Sequence, residues 1–339
     1  MCFRLRELLM TGCLLFGALV YCAAGIAAER IVVGEFITNT GCGACYLPEL
    51  KLDTIGFQYP ERLALIRYHA SYPQGSDPFY QFNTVQNDQR YEYYMDWPWL
   101  PRFYVDGTYI HNAGSYRESI LNEMDSESPL MIELSGAFDT GLKTGFVNVI
   151  VSIEEQVPLH PVNMRVALTE SDLYYPAPNG SDIHHQVFRG MLPSVQGESR
   201  TLIGMGPHYY YYEFDFNGVE INTDNCELVA FIQDDSAWTV LQGAKTGLPS
   251  FYDNQRVEIN MTGYSNPVII PAHGGRLIFD GSLRHRAARS DTFKVWTMIE
   301  FPDGRRIGPL AEYFIPLGPM ENVNEPELIL DVPHSAPRG

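Results

Sequence analysis

The chain has 339 residues, enough for two or three domains rather than one ordinary core. Its formal charge of −18 at pH 7 argues against nucleic-acid binding, which needs clustered Lys and Arg, and against docking on an anionic membrane surface. Apolar residues make up 45% and aromatics 13%, ample material to bury, and the acidic charge is spread along the chain as a solvated surface.

At the N-terminus, Arg4 and Arg6 precede an apolar, charge-free stretch from Leu8 to Ala28 that closes in Ala23, Ala24, Gly25, Ala27 and Ala28. This pattern predicts a signal peptide over 1–28, cleaved between Gly25 and Glu29, and hence an exported protein. The stretch is long enough to span a bilayer, so an uncleaved anchor is the alternative. No later segment is apolar enough to span a membrane. Tyr21 stands where lipid attachment to Cys22 wants a small residue. Cleavage removes Cys2, Cys13 and Cys22 and leaves Cys42, Cys45 and Cys226. In an oxidising compartment the close pair joins and Cys226 is left alone.

The mature chain begins with a predicted strand, Ile31 to Ile37, then a turn holding two cysteines and a helix from about Cys45 to Phe57. A strand from Leu63 to Tyr68 follows. Ser76 to Met95 reads as helical, with Phe79, Phe82, Val85 and Tyr93 at roughly helical intervals. Phe103 to Val105, the turn Asp106-Gly107 and Thr108 to His111 form a predicted hairpin. A helix from Ser115 to Met124 closes the segment. The order β-α-β-α-β-β-α resembles that of thioredoxins.

Beyond Ser126 the pattern becomes period-two alternation: Ile132, Leu134 and Phe138; Val147 to Ile153; Met164, Val166 and Leu168; Tyr210 to Phe216; Leu228, Ala230 and Ile232. About seven strands separated by Gly, Pro and Asn turns suggest an Ig-like β-sandwich over 127–248. After the break at Gly247-Leu248-Pro249, residues 249–339 read as a further β-rich module, with strands at Val268 to Ile270, Leu277 to Phe279 and Phe293 to Phe301. The expected architecture is therefore an α/β thioredoxin-like domain over 29–126 followed by two all-β sandwich domains.

Cys42 and Cys45 carry the chemistry. Two cysteines spaced C-x-x-C at the start of a helix can close a small disulfide ring. The helix's unpaired N–H groups and positive dipole stabilise a thiolate on the leading cysteine. Cys42 is then the nucleophile toward a substrate disulfide and Cys45 the resolving thiol. A four-thiolate zinc site is excluded by count, and a static disulfide that staples a loop is the competing reading. Pro101, preceded by Leu100, lies just before a strand; thioredoxin-like proteins hold a cis-proline there, beside the substrate chain. Pro98 competes with it but lies farther from Asp106-Gly107.

The stretches Glu35-Phe36-Ile37-Thr38, Cys42-Gly43-Ala44-Cys45, Arg67-Tyr68-His69, Ser76-Asp77-Pro78-Phe79 and Pro101 to Gly107 together resemble the thioredoxin-like outer membrane protein family, the twenty-eight-kilodalton group. So do His184 to Arg189, Leu192-Pro193, Gly197-Glu198 and Val229 to Asp234 in the following segment. The resemblance covers about residues 30 to 247. It implies a thioredoxin-like domain ahead of an Ig-like domain and an envelope, outer-membrane or secreted location. Gly41-Cys42-Gly43-Ala44-Cys45 departs from the thioredoxin signature by lacking its Trp and its intervening Pro.

Glu35, on the strand entering the cysteine loop, is a candidate proton acceptor for the second cysteine, with an exposed strand residue as the plain alternative. His69 ends the neighbouring strand and is a candidate for tuning a thiolate or for joining the two cysteines as a metal ligand, set against an ordinary loop histidine.

The oxygen-rich run Asp215 to Asp224 misses the EF-hand spacing. His184 and His185 are adjacent on a strand and point to opposite faces. Cys226 precedes a core strand and reads as a buried, inert thiol. No Gly-rich phosphate loop, G-x-S-x-G elbow or H-E-x-x-H is present.

The leading functional expectation is an exported thiol–disulfide oxidoreductase acting on protein thiols and disulfides, without cofactor or metal. The alternative is a non-catalytic envelope or adhesion protein with a structural disulfide in a thioredoxin-fold scaffold. Residues 270–275, 295–298, 302–304, 308–309 and the ending 332–339 resemble β modules near the C-termini of large secreted bacterial proteins. The chain stops where those modules usually add a closing strand, which implies either a truncated sequence or an open sheet edge.

Overall fold

A computed structural model describes residues 28–94, 99–204, 207–252, 257–263, 275–300 and 306–332. Residues 1–27 of the expected signal peptide, Pro98, the strand Val268 to Ile270, Phe301, and the motif positions 270–274, 302–304 and 333–339 lie outside the described residues.

The first strand, β1 (Val32–Thr38), is rich in β-branched residues and buried along its whole length. It pairs in parallel with β2 (Leu63–His69), from Val32↔Leu63 to Thr38↔His69, and helix α1 (Tyr46–Gln58) makes the crossover. On its other side β1 pairs antiparallel with β3 (Arg102–Val105), which turns through Asp106 and Gly107 into β4 (Thr108–Tyr109). Both turn residues have positive φ, 45° and 86°, as a two-residue hairpin loop of the primed type requires. Helix α4 (Tyr116–Met124) closes this unit. Val32 and Phe36 face Leu52 and Ile55 of α1 and Ile120 of α4 across one side of the sheet.

The helix expected over 76–95 is two helices, α2 (Pro78–Phe82) and α3 (Thr84–Tyr93). Asn83 breaks them, with φ −151° and ψ 72°. Its side-chain oxygen caps α3 at the Gln86 amide (3.3 Å), and its amide donates to the Arg189 carbonyl (3.1 Å). A short polar side chain that bonds outside the helix competes with continuing it.

The next stretch is all β: β5 (Leu130–Asp139), β6 (Thr144–Ile153), β7 (Val162–Glu170), β8 (Leu173–Tyr174), β9 (Ile183–His184), β10 (Val187–Leu192), β11 (Glu198–Arg200), β12 (His208–Asp215), β13 (Cys226–Asp234) and β14 (Thr239–Gly247). Strands β12-β6-β5 form a three-stranded sheet. It packs on β7 and β13 through Val147, Val149, Val166, Tyr210, Leu228 and Ile232. The alternation that predicted these strands is the alternation of this core.

One sheet runs through both units, in the order β14-β13-β7-β10-β2-β1-β3-β4 with β11 paired to β7. The junction is β10 beside β2, at Val187↔Arg67, where the Arg67 amide donates to the Gln186 carbonyl (2.9 Å). Behind it, Val33, Ile66 and Tyr68 of the α/β unit share a core with Phe188, Val229 and Phe231. Polar bonds reinforce the union: Arg30 donates to Asp106 (2.9 Å) and to the Val240 carbonyl (2.8 Å).

Residues beyond 256 form two small sheets, β15 (Val257–Gly263), β16 (Gly275–His285) and β19 (Asn322–Val332) in one, β17 (Asp291–Glu300) and β18 (Arg306–Leu317) in the other. The Asn148 amide group on β6 anchors this module, donating to the Arg286 carbonyl (2.6 Å) and accepting from the Ala288 amide (2.7 Å). The molecule is thus β-rich, with several sheets and a few helices.

Candidate functional site

The cysteine loop leaves the end of β1 and enters α1. Its backbone is held on every side. The Asn39 side chain donates to the carbonyls of Ala70 (2.8 Å) and Gln74 (3.0 Å) and accepts from the Gly41 amide (2.8 Å). The Thr40 amide donates to Asp77 Oδ2 (2.7 Å). From the β-sandwich, the Asn179 amide donates to the Thr40 carbonyl (3.0 Å), so the β8–β9 hairpin also braces the loop.

Cys42 and Cys45 are joined, with S–S 2.03 Å and Cα–Cα 5.4 Å. Cys45 is the N-cap of α1 and makes no side-chain capping bond, which leaves the positive end of the helix directed at the sulfurs. Cys45 is fully buried and Cys42 exposes 6% of its surface, while Gly43 and Ala44 between them are exposed. Leu47, one residue into α1, and Trp99 are two-thirds exposed.

Leu100–Pro101 is a cis peptide bond. Arg102 pairs with Ile37, so Pro101 stands at the same end of the sheet as the loop that follows Thr38.

His69 pairs with Thr38 across the strands and is buried. Its Nδ1 lies 2.8 Å from Asp77 Oδ2, the oxygen that also accepts from Thr40. Asp77 Oδ1 accepts from the amides of Phe79 and Tyr80, capping α2. Burial opposes ionisation of Asp77, but the His69 bond and charge and the backbone amides outweigh it and hold the carboxyl below its usual range. His69 therefore reaches the cysteine loop through Asp77.

Glu35 lies elsewhere. Alternation along β1 turns it to the sheet face opposite α1. There it meets Arg90 of α3 in a two-pronged ion pair (Oε2 to Nε and Oε1 to Nη2, both 2.7 Å) and accepts from the Tyr94 hydroxyl (2.7 Å). Glu35 and Arg90 are 1% and 0% exposed. Burial alone would raise the Glu35 carboxyl; the Arg90 charge and hydrogen bond overcome it and keep the group below the usual carboxylate value. Arg90 Nη2 also donates to Gln233 of β13 (2.8 Å), so this carboxylate is bound into the junction between the two units.

Besides Asp77, a second buried acid, Glu49, lies near the cysteine loop. It lies one helical turn after Cys45, its amide donating to the Cys45 carbonyl (3.0 Å), and it is 5% exposed. Thr38 Oγ1 donates to its Oε1. Burial raises its carboxyl above the ordinary value, and the charges of Arg67 and His69 and the Thr38 bond only partly offset that. The sequence signal for it is an acid within the buried stripe of Pro48, Leu52 and Ile55.

Cys226 is buried, its Sγ 3.2 Å from the Asn222 carbonyl, and burial pushes its thiol up to about 12, the state of an unreactive cysteine.

No family profile matches the chain, and no curated protein matches it at a significant level. Solved structures do. A domain of the outer membrane lipoprotein Omp28 from Porphyromonas gingivalis is 21% identical, with TM-score 0.26, over 35% of this chain and 87% of that one. A protein from Agrobacterium tumefaciens is 12% identical, with TM-score 0.46, over 67% of this chain and 97% of its own. HBP35 of Porphyromonas gingivalis is 13% identical, with TM-score 0.57, covering 90% of this chain and 99% of that one. In overall fold, the chain is similar to HBP35 along nine-tenths of its length.

Proposed function

We propose that the chain is an exported thiol–disulfide oxidoreductase whose first unit, residues 29–126, is thioredoxin-like, with Cys42 as nucleophile and Cys45 as resolving thiol. The observation that carries this reading is the joined Cys42–Cys45 pair at the N-terminus of α1, with Glu49, a buried carboxyl one turn behind Cys45, as its proton acceptor. A resolving thiol has to lose and regain a proton, the step such a carboxyl would serve.

In the reduced state, the Cys42 thiolate attacks one sulfur of a client disulfide. The Cys42–client bond forms, the client's S–S bond breaks, and the departing thiolate takes a proton from water. Cys45 passes its proton to Glu49 and attacks Cys42 Sγ. The mixed disulfide breaks, Cys42–Cys45 closes, and the second client thiolate leaves. Two electrons move from the dithiol to the client, and the reverse sequence oxidises a client dithiol. Asp77 and His69 hold the loop that presents Cys42, and the backbone before Pro101 offers an edge for the client chain.

A second reading, a non-catalytic envelope protein with a structural disulfide, draws on the burial of both sulfurs. Equilibration with graded glutathione buffers, followed by thiol alkylation, separates the two. A catalytic pair titrates reversibly above roughly −300 mV. A pair that stays oxidised across the whole glutathione range is a staple.

A further inference from the structure

A cavity of about 600 Å³ opens between the α2–α3 junction, β10 and the turn after β12. That size lies within the range of small-molecule sites. Its walls are apolar, with Leu168, Met191, Phe214 and Leu228 all buried. Arg189 is the one cation among the lining residues.

Its presence there is built by a β-bulge. On the β10–β7 ladder, Phe188 pairs with Thr169 and Gly190 with Leu168, leaving Arg189 as the extra residue. A bulge removes a residue from the ladder and re-aims its side chain. The freed Arg189 carbonyl is taken by Asn83, and its guanidinium lies over the Phe82 ring, 4.3 Å from the centroid. Arg189 is 8% exposed, and its Nε donates to Glu170 (2.7 Å). Among the described residues, neither Nη1 nor Nη2 donates a hydrogen bond.

A largely buried guanidinium with two nitrogens that find no partner among the described residues, lining a mostly apolar chamber, fits the flat, two-oxygen face of a carboxylate. The exposed acids Asp215 and Glu220 also line the cavity, so Arg189 is the one lining side chain that attracts an anionic head. We propose that this cavity binds an amphipathic monocarboxylate of the fatty-acid type, its carboxylate on Arg189 and its chain along Phe214, Leu168 and Leu228. This site is independent of the disulfide and of the reading built on it.

The test is calorimetric titration of the full mature chain with monomeric laurate, with dodecyltrimethylammonium as the cation of equal chain length and dodecanol as the neutral one. Laurate is expected to bind at one per chain and the cation not to bind. Arg189→Gln is expected to weaken laurate by roughly tenfold or more while leaving dodecanol unchanged. Val219→Trp, a bulky substitution at another lining position, is expected to fill the chamber and abolish binding of both. The proposal is overturned by any of three results: no saturable laurate binding, cation binding as strong as laurate binding, or undiminished laurate affinity in Val219→Trp.

Discussion

Replacing Glu35 by alanine is expected to destabilise the fold by about 3–5 kcal/mol, because it strands the Arg90 charge in a wholly buried site. Arg90 is wholly buried, and its remaining partners, Gln233 and the rings of Tyr93 and Tyr94, stabilise a cation without neutralising it. Guanidinium-induced unfolding measures the loss. The double variant Glu35→Leu with Arg90→Met is expected to recover most of it, since an apolar pair of similar volume removes both desolvation costs. A loss below about 1 kcal/mol in Glu35→Ala, the range of solvated surface pairs, would contradict this account of the junction. The folded fraction of Glu35→Gln should retain its thiol-exchange rate, because the group faces away from α1.

Glu49→Gln is expected to do the opposite on both counts. Exchange through Cys45 should slow by about a hundredfold, the lower range for losing a positioned proton acceptor. The wild-type rate of resolution should rise with pH as Glu49 ionises, through a midpoint above 4.5, and that limb should vanish in the variant. Stability should move the other way. Because the folded protein raises this carboxyl's pKa, it binds the proton more tightly than the unfolded chain does, so Glu49 favours folding less as pH rises through the gap. Glutamine keeps the acceptor for Thr38 and removes the buried charge. It should therefore stabilise the protein near neutral pH, with the gain fading below 4.5. Stopped-flow exchange and urea unfolding across pH 4–8 read the two effects. Unchanged rates would remove Glu49 from the mechanism.

The loop at Cys42 was legible because its signals are local: a C-x-x-C spacing, an apolar strand before it and a helix after it. Strands β5 and β12 were legible because each has one face on a core and one toward water, as with buried Leu130 and Ile132 against exposed Met131 and Glu133. Glu35 was not legible in this way. Strand β1 is buried on both faces, so its sequence carries no alternation to say where an acid points. Its partner Arg90 lies 55 residues away on a different element. Glu49 falls in the stripe of Pro48, Leu52 and Ile55, but it also reads as a first-turn acid that complements a helix dipole, and its burial against Thr38 decides between the two. The break at Asn83 depends on the Arg189 carbonyl, and the continuous sheet depends on Arg67 meeting Val187. Both contacts join distant parts of the chain, which local periodicity does not encode.

The central claim is that the Cys42–Cys45 pair exchanges with protein disulfides. The most direct measurement is to express the full-length chain carrying Cys45→Ser and resolve the thiol-blocked extract by non-reducing and then reducing electrophoresis. Without a resolving thiol, Cys42 should accumulate client proteins as mixed disulfides that dissolve on reduction, and Cys42→Ser with Cys45→Ser should accumulate none. A folded Cys45→Ser protein that carries no clients would show instead that the two sulfurs serve the scaffold alone.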